Sequence, residues 1–170
     1  GLLDSTILII TGDHGEEFME HGRWGHSSSY NEEQTVVPLV LWTPGRDPAV
    51  VERMTSHLDL PATLLKLLGV TNHPEDYSLG RDLLDGSPRE YTIMSDWSNM
   101  AYVDAEYKAV FPTSNAGARQ RPYVTGADDI PLADERQFLQ KRRERIAGVL
   151  TEMSRFTRRP AKSKTEGSQE

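Results

Sequence analysis

The chain has 170 residues, no cysteine and a formal net charge of −7, with 36% of its residues hydrophobic and 26% charged. That length supports one domain's core, and the lack of cysteine excludes a disulfide scaffold, a thiolate metal site and a cysteine nucleophile. Residues 1–130 hold 20 acidic and 9 basic side chains, a net of −11, against 6 and 10, a net of +4, in residues 131–170. The acidic body repels a phosphate backbone, so no nucleic-acid partner is expected.

In chain order, Gly1-Leu2-Leu3-Asp4 leads directly into Thr6-Ile7-Leu8-Ile9-Ile10-Thr11, a β-branched run expected as a strand buried on both faces of a parallel sheet. A start of this kind is expected inside a larger fold. Residues 12–34 read as a site loop, since residues 13–33 gather three His, six acidic residues and three Gly. Val36 to Trp42 is expected as a second strand, with Pro38 near its start and Thr43-Pro44-Gly45 as its stop. Neither this run nor Ile7–Ile10 approaches the roughly 20 apolar residues that cross a bilayer, so membrane contact is expected only through segments absent from this chain.

A helix follows, capped by Ser56 or Asp59, with Pro61 in its first turn, an apolar face of Leu60, Leu64, Leu67 and Leu68, and a stop at Gly69. Tyr91–Met94 and Ala101–Phe111 alternate as strands turned near Ser98-Asn99, and residues 113–130 read as loop. Ala133 to Phe156 then places Phe138, Leu139, Ile146, Val149, Leu150, Met153 and Phe156 at helical spacing. Arg142, Arg143 and Arg145 read as its solvated face, and residues 158–170 as a disordered tail. The order strand, loop, strand, helix, strands, helix indicates α/β architecture. The expected division is residues 1–112, a catalytic-type body; 113–157, loop and C-terminal helix; and 158–170, tail.

Gly12-Asp13-His14-Gly15-Glu16 lies where the first strand ends, the place where α/β sheets bind ligands. An adjacent carboxylate and imidazole can both reach one divalent cation, the carboxylate through oxygen and the neutral ring through nitrogen. Twelve residues later, His26 in Trp24-Gly25-His26-Ser27-Ser28-Ser29 is expected to face that cation across a space the size of an oxyanion. His21 is a candidate for the substrate cleft. Glu16 and Glu17 are candidates for orienting His14. Ser27, Ser28 and Ser29 read as loop and cap residues rather than a nucleophile, and Trp24 and Trp42 as packing residues.

The run TGDHGEEFMEHGRWGHSSSYNEEQTVVPLVLWTPG resembles the C-terminal part of the sulfatase catalytic domain, within the alkaline-phosphatase-like superfamily. Ser56-His57-Leu58-Asp59-Leu60-Pro61 and Ser78-Leu79-Gly80-Arg81-Asp82-Leu83 extend the resemblance over residues 4–112. It implies a mixed α/β sheet flanked by helices, present as the C-terminal portion only and ending in a hairpin and an amphipathic helix. It also implies that Asp13 and His14 are metal ligands and that His26 is the catalytic and substrate-binding group at the transferred anion. The implied activity is metal-dependent hydrolysis of a sulfate or phosphate ester, with the nucleophile in a part of the domain that this chain lacks. Many sulfatases carry Lys at the position of His26, whereas phosphoethanolamine transferases of the superfamily carry His. Two alternatives therefore stand beside the hydrolase, a phosphoethanolamine or phosphoglycerol transferase of the cell envelope and a non-catalytic regulatory module. Calcium is the cation usual in the family; zinc or manganese suits an imidazole ligand better. The implied location is periplasmic or extracytoplasmic, with membrane anchorage an open feature of the longer protein.

Overall fold

The computed structural model describes residues 1–113 and 121–157. The tail expected over 158–170, the residues 114–120 of the expected loop and the Leu139 side chain lie outside the described residues. The chain divides into two compact units, one formed by residues 1–54 and 88–136, the other by residues 55–87 and 137–170.

In the first unit, β1 (Leu8–Thr11) pairs antiparallel with β4 (Leu39–Trp42), matching Leu8 with Trp42 and Ile10 with Val40. The expectation of a parallel strand buried on both faces is corrected: Leu8, Ile10, Val40 and Trp42 are all exposed. A continuous apolar run signals a strand that can be covered on two sides, but it does not encode the direction of its neighbour or the presence of a covering layer. Pro38 falls just before β4, which needs no N–H from it. Between these strands lie a short ribbon, β2 (Glu17–Phe18) with β3 (Trp24–Gly25), and a single helical turn, α1 (Glu32–Thr35).

The core of this unit is a four-stranded antiparallel meander, β5 (Tyr91–Ser95), β6 (Asn99–Asp104), β7 (Tyr107–Pro112) and β8 (Tyr123–Gly126), in chain order across the sheet. Residues 101–111 are two strands, not one, because Asp104 Oδ1 accepts the N–H groups of Glu106 and Tyr107, both at 2.9 Å, and turns the chain. β8 falls within the stretch read as loop; its four residues are too few for a periodicity signal. Ala101, Val103 and Val110 are buried together, with Tyr30, Met54 and Met94 packed on them. The β5–β6 turn sits at Asp96–Ser98, where Asp96 Oδ1 accepts the N–H groups of Ser98 and Asn99 at 2.7 Å. Partial burial works against the Asp96 charge, but these donors and the Tyr30 hydroxyl outweigh it and hold the carboxyl below its usual value of 3.8.

In the second unit, α2 (Asp59–Leu67) begins and ends close to the expected bounds. Its buried face is different. Asp59, Ala62 and Thr63 are buried, Leu60 and Leu64 are half-buried, and Leu68 is 70% exposed. The reason is polar. Asp59 Oδ2 accepts from Ser56 N and Oδ1 from Arg81 N, while Thr63 Oγ1 accepts from Leu83 N at 2.8 Å. Residues 78–83 thus lie along the face that hydrogen bonding selects rather than the one apolar spacing marks. A Cβ at Gly80 would stand 1.7 Å from the Leu58 carbonyl oxygen. α3 (Arg136–Thr157) buries Phe138 and Val149, exposes Arg143 and Arg145, and ties Arg155 Nη2 to Glu75 O at 2.8 Å.

Two measurements check these arguments. Gly80→Ala is expected to cost about 2–3 kcal/mol or more in chemical denaturation, because the obstructing atom is backbone; a change under about 0.5 kcal/mol would contradict the close approach. Asp96 has a lowered pKa, so its contribution is present above about pH 4 and lost as pH falls through its folded value. Asp96→Asn should therefore be less stable than the parent at pH 7, and the gap should close at more acid pH.

Candidate metal and anion site

The site grows from one buried carboxylate. Glu17 is wholly buried, and its two oxygens accept four N–H groups: His21 N and Arg23 N on Oε1, both at 3.0 Å, and Asn31 Nδ2 at 3.1 Å and Gln34 Nε2 at 2.9 Å on Oε2. Desolvation raises its pKa, but the donors from Gln34, Arg23 and His21 outweigh it and hold the carboxyl below 4.5. Gln34 continues the network, accepting Ser28 N at 3.1 Å and Ser29 N at 3.3 Å on Oε1 and donating to Ser28 Oγ. Arg23 Nη1 donates to Ser28 O. Both flanks of the segment carrying His26 are thus fixed to one polar core.

The turn carrying Asp13 and His14 presses on the same core. Gly15 N donates to Gln34 O at 3.1 Å, and a Cβ at Gly15 would stand 2.0 Å from Glu33 O. His14 Nδ1 lies 2.8 Å from Gly15 O. A carbonyl oxygen only accepts, so Nδ1 donates and the lone pair is left on Nε2. That Nε2 is 3.7 Å from Asp13 Oδ2. Metal–donor distances of about 2.0–2.4 Å put two donors on a shared ion roughly 3–4 Å apart, so the pair fits a divalent cation. Asp13 is exposed, and its carboxyl is held below 3.8 chiefly by its own N–H, then by that of His14 and by the His14 charge.

His26 comes to the same place. Its ring stacks on that of His14 with centroids 4.3 Å apart and planes 30° off parallel. Stacked in this way the two rings leave no gap between them, so an anion would meet their edges. Glu16 Oε1 stands 3.8 Å from His26 Nδ1, beyond hydrogen bonding but within charge attraction, while His14 is oriented by Gly15 O. Glu17, the other candidate for orienting His14, bonds the loop backbone instead. Ser29 Oγ accepts from Asn31 N at 3.3 Å, a loop contact ahead of α1. Trp24 is 69% exposed and meets the Phe18 ring edge to face, with centroids 5.3 Å apart.

His21 pairs with Glu33. Its Nε2 is 3.1 Å from Glu33 Oε2, and with Asp129 these donor atoms lie within 4.8 Å of one another. Asp129 is already committed, its Oδ1 to the buried Lys108 ammonium at 2.7 Å and its Oδ2 to Glu32 N at 3.1 Å. The ammonium occupies the charge that a cation there would need. Asn31 and Gln34 went unnoticed in the sequence, because amides in a polar loop carry no periodic signal. Their spacing from Glu17 becomes meaningful only once α1 exists.

The α/β fold of the chain has counterparts among solved structures. The chain resembles a 2-O GAG sulfatase with a TM-score of 0.64, at 19% identity over 89% of this chain and 37% of that one. It also resembles a protein of the alkaline phosphatase superfamily from Vibrio parahaemolyticus, with a TM-score of 0.56, at 21% identity over 81% of this chain and 32% of that one. Residues 1–70 match the family model described as Sulfatase. Bovine Arylsulfatase K is 35% identical over 101 residues, 59% of this chain and 18% of that protein. The inner membrane protein YejM of Salmonella typhimurium is 28% identical over 159 residues, 92% of this chain and 25% of that protein. The chain thus spans a quarter or less of these curated relatives. Among the described residues, no helix is long and apolar enough to cross a membrane.

Gly15→Ala and Glu17→Gln test the polar core from two directions. A glutamine at 17 must turn its NH2 toward one of two donor pairs, whichever way it flips. Each variant is expected to lower the melting temperature by about 5 °C or more and to erase the ring-current shifts that stacking imposes on His14 and His26 ring protons. Unchanged imidazole spectra in both would show that the stack forms without this core.

Proposed function

We propose that this chain supplies part of the active site of a metal-dependent ester hydrolase of the sulfatase type, acting on a sulfate or phosphate ester. The observation that carries the reading is the grouping of Asp13, His14 and His26 within one side chain's reach. Asp13 Oδ2 and His14 Nε2 would hold the cation, which supplies Lewis-acid polarisation of the ester oxygen. His14 is aimed by Gly15 O, so its donor nitrogen does not have to be ordered when the ion arrives. His26 offers a ring N–H to the anionic group from the adjacent edge, with Glu16 supplying a compensating charge. Asp13, His14 and His26 all lie in the unit formed by residues 1–54 and 88–136.

The YejM relative matches 92% of the chain, which supports placing the protein at the cell envelope, with the cation-binding half facing an extracytoplasmic space. An imidazole at 26 also suits a phosphoryl group. The transferase reading and the reading as a non-catalytic module therefore remain the competitors, and each accepts the same metal pair or dispenses with it.

Titration of calcium, manganese and zinc into the 170-residue chain, followed by NMR of the histidine rings, tests the metal assignment. Saturable shifts of His14 before His21 or His73 are expected for at least one ion, and Asp13→Asn or His14→Ala should abolish them, whereas His26→Ala should leave them nearly intact. Equal perturbation of all five histidines would refute the ligand assignment.

A further inference from the structure

α1 is a single turn, too short to hold its own shape, so its place is set by what grips it from outside. Its N-cap residue, Asn31, gives its side-chain amide to Glu17 Oε2 and makes no capping bond. The first N–H of the turn, that of Glu32, goes instead to Asp129 Oδ2 at 3.1 Å, across 97 residues of chain. Helix caps are usually local, because the side chain just ahead of the first turn is the acceptor always within reach. Here the cap comes from the turn after β8, at the edge of the meander.

Asp129 is itself held firmly. Its Oδ1 accepts the Lys108 ammonium of β7 at 2.7 Å, and both side chains are only 7% exposed. Lys108 also offsets a repulsion, since Asp129 and Glu33 bring carboxylate oxygens within 4.8 Å of each other. The Asp129 backbone has a φ of 63°, which Asp and Asn tolerate better than most side chains. What α1 carries gives this grip its consequence. Gln34, two residues after Glu32, gives its carbonyl to Gly15 N, beside Asp13 and His14, and its side-chain oxygen to Ser28 N, two residues after His26. A displaced turn would move both segments.

We propose that Asp129, held by Lys108, is a positioning residue for the Asp13–His14–His26 site: by capping α1 from the sheet edge it fixes Gln34, and through Gln34 the placement of the two imidazoles. The inference rests on the metal and anion reading of those three residues. Asp129 acts only through the turn that it caps. The ion pair keeps the capping oxygen in place, and the cap is what reaches the site, so the two contributions separate by substitution.

Two double variants of the 170-residue chain make the separation. Lys108→Met with Asp129→Asn removes both charges but keeps an oxygen for the Glu32 N–H; Lys108→Met with Asp129→Gly removes that oxygen too, and Asn and Gly both accept the positive φ. Amide hydrogen exchange and histidine ring spectra, without added metal, read the result. In the Gly form the Gly15 and Ser28 N–H groups should exchange about three- to thirtyfold faster, while amides of the β6–β7 ladder keep their protection. The ring-current shifts of His14 and His26 should shrink with them. The Asn form should return both signals to parent values, even with a lower melting temperature. Should the Gly form not fold, Glu32→Pro reads the same contact from the donor side, because proline fits the first helical position and has no N–H; it should loosen Gly15 and Ser28 with the ion pair intact. Exchange that quickens equally in the site loop and the β6–β7 ladder, site signals unchanged in the Gly form or in Glu32→Pro, or an Asn form no better than the Gly form overturns the positioning role. Calcium, manganese or zinc should bind the parent and the Asn form alike and the Gly form more weakly. If no ion moves His14 in the parent while Gly15 and Ser28 still respond, the metal reading falls and Asp129 keeps its role in placing the imidazoles.

Discussion

A carboxylate without access to water, satisfied by four N–H groups, is the interaction on which the arrangement of the first unit's loop depends. Glu17 draws together the backbone of the β2–β3 connection and the amides of Asn31 and Gln34, groups spread over 14 residues of chain. Burying such a charge is tolerable only with its lone pairs filled, and removing one donor leaves the remainder uncompensated. That makes the network all-or-none. A loop of residues with little helix or strand preference acquires one conformation because every alternative strands the carboxylate.

The imidazoles inherit their positions from that core. Gln34 spans it, donating to Glu17 while accepting from the segment after His26, and its carbonyl receives Gly15 N from the turn after His14. One residue thereby ties together the two stretches that carry His14 and His26, whose ring centroids lie 4.3 Å apart. Tyr30 joins this assembly to the sheet, its hydroxyl accepting Asp96 N at 3.1 Å and donating to Asn99 O at 3.2 Å. Burial, with the nearby Asp96 charge, raises its pKa, which keeps the hydroxyl a donor.

What was legible in the sequence follows from which signals are local. α2, α3, the 91–111 strand region and the Asp13-His14 turn are written in periodicity, caps and adjacency, and they stand close to where those signals put them. The Leu60–Leu68 face was misread because apolar spacing is blind to the Asp59 and Thr63 hydrogen bonds that choose the packing side. The Ala101–Phe111 run hid a turn because Asp104 acts through an oxygen rather than through a break in hydrophobicity. Glu17 looked like one acid among six; only the fold distinguishes it, by enclosing it. The meeting of His14 with His26 was expected from loop return, yet the face-to-face geometry depends on side-chain orientation that spacing does not encode.

The Tyr30 tether also bears on the order in which the molecule assembles. Its partners lie 66 and 69 residues downstream, and the Glu32 N–H bond to Asp129 reaches 97. Closing spans of that length costs chain entropy before any contact repays it, so such links form late. During synthesis, the histidine-bearing loop emerges long before the hairpins that secure it. Ribosome-bound intermediates would therefore expose a disorganised cluster of imidazoles and acids, and the ordered pair becomes a property of the finished chain.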